Sequence, residues 1–175
     1  FLARYRGGRV ELIHVVTPTD PAVSFVYPGL GQRPVHACAS AKAIAAFIDP
    51  ILQASMNDTN PLPYNSRTIV EKEAIARELE NVRRNGYALC DGEMEEGVLS
   101  CAVPVLVDRL GAIFSIGIIG PSSRTRNVIQ DRVLPVLRRE AIRAAAAIQH
   151  CSVIEAETTN AEVMSAARNS QGQVH

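Results

Sequence analysis

The side chains that could carry out chemistry in this chain are four cysteines and four histidines, and their spacing is loose. The cysteines stand at positions 38, 90, 101 and 151, and the histidines at positions 14, 36, 150 and 175. The sequence contains no C-x-x-C pair, H-E-x-x-H motif, P-loop or G-x-G-x-x-G motif. Reduced thiols suit this spacing better than a disulfide framework or a zinc site. We therefore predict no catalytic residue, no metal ligand and no cofactor, and a protein that is not an enzyme.

One catalytic alternative stays open, a small hydrolase in which His36 activates Cys101. A thiol of lowered pKa would support it, and an inert thiol would oppose it. The acidic turn at residues 91–96 (DGEMEE) is the other charged cluster, and such clusters are usually solvated. We expect it to bind no metal.

Room for a bound ligand is indicated by residues 86–121. Two strand-like runs, 98–106 and 112–119, are rich in Val and Ile and are joined by a polar turn. Cys101, Ser115 and Gly117 are small or polar residues within these runs, and Asp91 stands before them. Small residues leave space, and a few polar groups can orient a molecule in it. A tightly packed sheet, with Gly where a helix comes close, explains the same pattern.

The elements that must position these residues are predicted to be a pair of strands at the start of the chain, followed by helices, further strands and a last helix. A hairpin is predicted for residues 1–5 and 9–16 across Gly7-Gly8, followed by a loop at 17–28 that could hold a short strand at 23–26. Ser40 is the expected N-cap of a short helix that ends at Asp49-Pro50, and residues 51–56 add helical turns.

Two longer helices complete the pattern. Thr68 and Glu71 match a capping box at the start of a helix that continues to about residue 84, with Gly86 after its end. A second helix is expected over residues 128–150, and Pro135 should either kink it or mark a delayed start. Because hairpins dominate, we predict an α+β fold, an antiparallel sheet flanked by helices.

The composition is that of one globular domain. The chain has 175 residues, 47% of them hydrophobic and 21% charged, with 18 basic and 18 acidic residues. Zero net charge argues against nucleic-acid binding by this chain alone, which would need a basic face. No apolar run reaches the roughly 20 residues of a spanning helix, and no signal peptide opens the chain. We expect a cytoplasmic protein with no membrane partner, and, since the chain starts at Phe1 without Met, a piece of a longer one.

Three blocks of the sequence resemble segments of the IclR-type bacterial transcription regulators. Residues 31–47 read GQRPVHACASAKAIAAF, similar to the family pattern G-x-x-x-P-h-H-x-x-A-S-G-K-A-h-L-A. Residues 68–93 are similar to T…L…E-L…V-R-x-x-G-Y-A-x-D-x-E-E, and residues 96–121 to E-G-x-x-C/S-x-A-x-P-h…G…A-x-S-h-S-G-P. The resemblance covers residues 1–151, and residues 152–175 are expected to form a polar C-terminal extension.

The resemblance implies an effector-binding domain of GAF/profilin-like fold, whose winged helix-turn-helix domain lies outside this chain. It implies a small organic acid as effector, a homodimer or homotetramer, and operator DNA contacted only through the missing N-terminal domain. A GAF-like oligomerisation module without a ligand is the alternative.

The resemblance also implies seven effector-binding residues, which are Ala39, Ser40, Asp91, Leu99, Cys101, Gly117 and Ile119. The first two would offer backbone N–H groups at a helix start, and the next three would line the pocket. Gly117 and Ile119 fall where many members carry serines, so we expect a larger or more apolar ligand, with aromatic carboxylates favoured. Ala41 replaces the usual Gly and tightens the helix start.

Overall fold

A computed structural model describes residues 1–20, 26–54, 56 and 61–150 of the chain. It contains six strands, which are β1 (Leu2–Arg6), β2 (Arg9–His14), β3 (Gly31–Arg33), β4 (Ala88–Asp91), β5 (Val98–Val107) and β6 (Gly111–Pro121). The short strand expected at 23–26 and the extension at 152–175 lie outside the described residues, apart from Val26.

The six strands form a single antiparallel sheet in the order β3-β2-β1-β6-β5-β4. Both predicted hairpins, β1-β2 across Gly7-Gly8 and β5-β6 at the centre, are present. The long pairing of β5 with β6 places Ser100 opposite Ile119 and Cys101 opposite Ile118. Since side chains alternate between the faces of a strand, this register decides which residues share a face.

The helices are α1 (Ala39–Phe47), α2 (Pro50–Ala54), α3 (Lys72–Asn85), a single turn α4 (Ser122–Thr125) and α5 (134–150). A 3-10 turn (Arg126–Val128) and a π-helical turn (Ile129–Val133) join α4 to α5. The predicted long helix therefore starts with irregular turns, and Pro135 stands in the first turn of α5, where its missing N–H is harmless. Gly86 ends α3 in the left-handed conformation, as predicted.

Two predicted helix caps are wrong. Ser40 lies within the first turn of α1, and the N-cap position belongs to Cys38, which makes no side-chain capping bond. The hydroxyl of Thr68 accepts hydrogen bonds from the backbone N–H groups of residues 64 and 65 and donates one to the carbonyl oxygen of Glu93 at 2.6 Å. Because tertiary contacts use this hydroxyl, α3 begins four residues later, at Lys72.

The sheet has a core on each face, which makes the fold an α+β sandwich. On one face α1 packs against β1, β2, β5 and β6 through alanines and through Ile44, which is fully buried. On the other face α5 contributes Leu134, Leu137 and Ala141, which cover Leu99, Cys101, Val103 and Val105 of β5. Among the described residues, no helix is both long and apolar enough to cross a membrane.

Candidate effector-binding site

A cavity of about 200 Å³ lies between the start of α1 and the sheet, below the turn that joins β4 to β5. Its apolar wall is formed by Phe1, Leu12, Met94, Val98 and Ile119. Its polar wall is formed by Cys38, Ser40, Cys90, Ser100 and Arg33, and Tyr27, Pro28 and Glu95 complete the lining. The volume is below the ~300–1,000 Å³ typical of sites for drug-sized ligands, so it suits a small molecule.

The sheet places its side chains in this cavity by strict alternation. Val98 and Ser100 of β5 and Cys90 of β4 point to the face that α1 covers, and Ile119 stands directly across from Ser100. The residues between them point to α5. The cavity thus occupies the end of the α1 face, beyond the point where the alanines of α1 contact the sheet.

The start of α1 forms the opposite wall. Its first turn is built from small residues, and the thiol of Cys38 lies 3.3 Å from the hydroxyl of Ser40. Ser115 on β6 donates a hydrogen bond of 3.0 Å to the carbonyl oxygen of Ser40, which holds this turn against the sheet. The free N–H groups and the dipole of a helix start favour a negatively charged group nearby.

Ser100 is the polar side chain best suited to a ligand. It is 5% exposed and lines the cavity, and its hydroxyl has no hydrogen-bond partner among the described residues. Because the cavity reaches this hydroxyl, it can donate a hydrogen bond to, or accept one from, a polar group of a ligand on this side.

Arg33 supplies the cation at the rim. Its guanidinium donates hydrogen bonds to the carbonyl oxygens of Pro28, Gly29 and Gln32, and it is only partly exposed. These bonds hold Arg33 against the loop before β3, and Glu95 brings an opposite charge to the same lining. The sequence offered no periodic signal for Arg33, because it comes from the short edge strand β3.

The structure brings together only some of the seven predicted site residues. Ser40 and Ile119 line the cavity. Ala39 is fully buried in the packing of α1 on the sheet. Asp91 lies outside the cavity, where its carboxylate accepts from Arg126 at 2.5 Å and from Ser122 at 3.5 Å.

Leu99 and Cys101 do not line this cavity. Both are buried on the α5 face, and Val98 and Ser100 line the cavity instead. A step of one residue along β5 exchanges the two faces of the strand. Cys90, the neighbour of Asp91, lines the cavity for the same reason.

Gly117 lies beside the cavity without enlarging it. The first aromatic ring of the chain, Phe1, covers this glycine, and a Cβ at position 117 would lie 2.5 Å from the ring carbon Cζ. The same Cβ would lie 2.2 Å from the carbonyl oxygen of Cys101. The missing side chain therefore makes room for the ring, whereas Ile119 does present an apolar surface to the cavity.

The proposed pair of Cys101 and His36 is not formed. Cys101 packs against α5, and burial raises the pKa of its thiol to about 12. His36 bonds through Nε2 to the carbonyl oxygen of Leu62 at 3.0 Å and stacks on Tyr64. Burial likewise raises the pKa of Cys90 to about 11, so neither buried thiol is a ready nucleophile.

The sequence suggested a solvated acidic turn, but in the structure one of its carboxylates is largely buried. Glu93 turns inward, with 12% of its side chain exposed, and pairs with Lys42 of α1. Burial raises the pKa of Glu93, and the Lys42 ammonium opposes that rise. Within the described residues, no cluster of three His, Cys, Asp or Glu side chains could hold a metal ion.

The chain thus has an antiparallel sheet between helices and a cavity at one end of the α1 face. Residues 2–148 match the family described as the bacterial transcriptional regulator IclR C-terminal domain. The chain belongs to this family and is an IclR-type effector-binding domain.

Known relatives agree with this assignment. The chain is 32% identical over 115 residues to the glycerol operon regulatory protein of Streptomyces griseus, covering 66% of this chain and 44% of that protein. It is similar to the crystal structure of the Thermotoga maritima IclR, with a TM-score of 0.74 at 23% identity, covering 85% of this chain and 60% of that one.

A third relative was solved with a small molecule. The inducer-binding domain of a PobR double mutant from Acinetobacter, in complex with 3-hydroxybenzoic acid, gives a TM-score of 0.68 at 24% identity. The match covers 82% of this chain and 85% of that one. The chain spans less than half the length of the curated relative from Streptomyces, 44% of it.

Proposed function

We propose that this domain senses a small carboxylate, of the size of a monocyclic aromatic acid, bound in the cavity between α1 and the sheet. The observation that carries the proposal is a small cavity at the start of α1 whose lining combines apolar side chains with the hydroxyl of Ser100 and the cation of Arg33. Arg33 and the start of α1 would attract the carboxylate, and Ile119 and Val98 would contact the apolar body of the ligand. The 3-hydroxybenzoic acid bound to PobR supports this ligand class.

The regulatory consequence follows from linkage. In the longer protein, a cytoplasmic regulator, the ligand would favour one arrangement of a homodimer or homotetramer and so change operator binding by the N-terminal domain. A coupling of about 1–3 kcal/mol corresponds to a change of roughly 5- to 150-fold in operator affinity. The ligand must bind the two arrangements unequally, because equal affinities shift nothing.

The test is a calorimetric titration of the domain with benzoate, 3-hydroxybenzoate, 4-hydroxybenzoate and glyoxylate. We expect the aromatic acids to bind and Ser100→Ala to weaken them by roughly 2- to 13-fold, the loss of one neutral hydrogen bond. Ser123→Ala is the control, an exposed serine that does not line the cavity. Equal affinities of the wild type and of Ser100→Ala would show that the ligand makes no hydrogen bond to Ser100, which would contradict the proposal.

Self-association without a ligand is the second candidate, and one surface favours it. The outer side of α5 exposes 71% of Ile142, beside Leu106 of β5, which is 52% exposed. These residues line a groove with the end of α3, and exposed apolar grooves often mark protein contacts. A charge in the groove, Ile142→Glu, should lower the molecular mass seen by sedimentation equilibrium if copies of the chain associate there.

A further inference from the structure

One buried charge connects the cavity to the rest of the domain. Lys42, in the second turn of α1, is 1% exposed, and lysine is almost never fully buried unless it is paired. Its ammonium lies 2.7 and 2.8 Å from the two carboxylate oxygens of Glu93 and 3.2 Å from the carbonyl oxygen of Leu89. Glu78 of α3 approaches to 3.5 Å. A single cation thus contacts β4, α3 and the turn between β4 and β5.

That turn forms part of the cavity. Glu93 belongs to the segment 92–97, and the two residues after it, Met94 and Glu95, line the cavity. The segment has no regular structure, so its position depends on bonds from its surroundings. Side chains outside the segment add hydrogen bonds from the Asn65 amide to the carbonyl oxygen of Gly92 at 2.8 Å and from Thr68 to that of Glu93. Backbone hydrogen bonds hold its two ends, and Met94 packs against the alanines of α1.

We propose that Lys42 is a positioning residue for ligand binding: by holding the Glu93 carboxylate it fixes Met94 and Glu95 as a wall of the cavity. This inference rests on the proposed function, because it assigns the wall a ligand to contact. The Lys42–Glu93 pair is the only bond from α1 to this turn among the described residues that involves a side chain of the turn. Without it the carboxylate would be drawn toward water and would carry Met94 with it.

Stability alone does not explain a buried pair at this place. Two apolar side chains of similar volume are often as stabilising as a buried ion pair, since both charges must be desolvated. Burial indeed raises the pKa of Glu93 in spite of its partner. What an ion pair adds is direction, because charge-assisted hydrogen bonds to both carboxylate oxygens favour one position of the Glu93 side chain.

Glu93→Gln tests the proposal, since it keeps the shape of the side chain and removes the charge. Glu80→Gln is the matched control: Glu80 also lies beside a cation, Arg83 at 3.2 Å, but is 56% exposed and far from the cavity lining. Hydrogen exchange is followed at the amides of residues 92–97 in the ligand-free chain. A charged hydrogen bond is worth more than a factor of ten in equilibrium, so Glu93→Gln should accelerate exchange there at least about tenfold.

Access to the cavity gives a second readout that needs no ligand. Cys38 lines the cavity and is half-buried, so its rate of alkylation by iodoacetamide should rise in Glu93→Gln and stay unchanged in Glu80→Gln. Unchanged exchange and unchanged alkylation in Glu93→Gln would overturn the proposal.

Binding of 3-hydroxybenzoate separates this inference from the proposed function. A weaker affinity of Glu93→Gln than of wild type would support the positioning role, and equal affinity would overturn it. If wild type does not bind the acid, that result counts against the proposed ligand class alone, and exchange and alkylation still decide the role of Lys42.

Discussion

The burial of Lys42 gives the strongest prediction about stability. Lys42→Met keeps the length and apolar stem of the side chain and removes the ammonium, which leaves the Glu93 carboxylate buried without its partner. Removal of one member of a buried ion pair typically destabilises a protein by about 3–5 kcal/mol. Glu93 retains 12% exposure and can take up a proton, so we expect the lower end, about 3 kcal/mol.

This loss is large on the scale of the whole domain. Natural domains are stable by only about 5–15 kcal/mol, and for 150–250 residues each kcal/mol moves Tm by roughly 2–4 °C. Lys42→Met should therefore unfold roughly 6–12 °C below wild type. The double variant Lys42→Met/Glu93→Met removes both charges and should recover most of the loss, because apolar replacements of a buried pair are often neutral or stabilising.

Urea denaturation at pH 7, followed by circular dichroism, measures these free energies. Arg143→Met is the reference for an exposed pair: Arg143 is 73% exposed and lies 3.0 Å from Glu140, so its loss should stay within about 1 kcal/mol. If Lys42→Met lowered the free energy of unfolding no more than Arg143→Met does, the Lys42 ammonium could not be buried as it is in the structure. If the double variant were as unstable as the single one, the loss would come from packing and not from an unpaired carboxylate.

Three other predictions follow from burial and backbone geometry. Burial raises the folded-state pKa of Glu93 above its ordinary value of 4.5. The stability that Glu93 contributes is therefore present below pH 4.5 and is lost as pH rises through the folded-state pKa. In Glu93→Gln the urea midpoint should depend less on pH in that window. Cys90 and Cys101, with pKa values of about 11 and 12, should resist iodoacetamide at pH 8 in the folded chain and react once urea unfolds it, as peptide mass spectrometry would show; equal rates in both states would contradict their burial. Gly111→Ala should lower the free energy of unfolding by more than about 1 kcal/mol, because φ is +67° and the new Cβ would lie 2.2 Å from a carbonyl oxygen of α1. Gly7→Ala, at φ +55° with no atom within 4 Å, should lower it by less in the same denaturation assay.

The fold could be predicted from the sequence because its strands are bounded by unambiguous turn residues. Gly7-Gly8 and the turn ending in Gly111 carry the positive φ angles of their hairpins, and these positions set both pairings. The α3 stripe ending at Val82 and the left-handed Gly86 likewise follow from local rules. The cap at Thr68 was mispredicted because its hydroxyl makes a tertiary contact, which no local pattern contains. The hydroxyl of Ser40 instead contacts the thiol of Cys38, inside the first turn of α1.

The site was harder to predict than the fold, and β5 shows why. Alternation groups Leu99 with Cys101 and Val98 with Ser100, but it does not say which group faces α1. Both faces of β5 are buried, so hydrophobicity does not distinguish them either. Only the pairing of Ser100 with Ile119, together with the side of the sheet on which α1 lies, resolves the choice.

The lining of the cavity changes the chemistry expected of the ligand. The sequence favoured a larger or more apolar ligand because Gly117 and Ile119 stand where many members carry serines. In the structure the Phe1 ring covers Gly117, whereas Val98, Ser100 and Ile119 share the sheet side of the cavity and Ser40 lies on the α1 side. Each side therefore offers a hydroxyl, and the sheet side adds apolar contact. A small planar acid with a polar substituent matches this lining better than a purely apolar molecule.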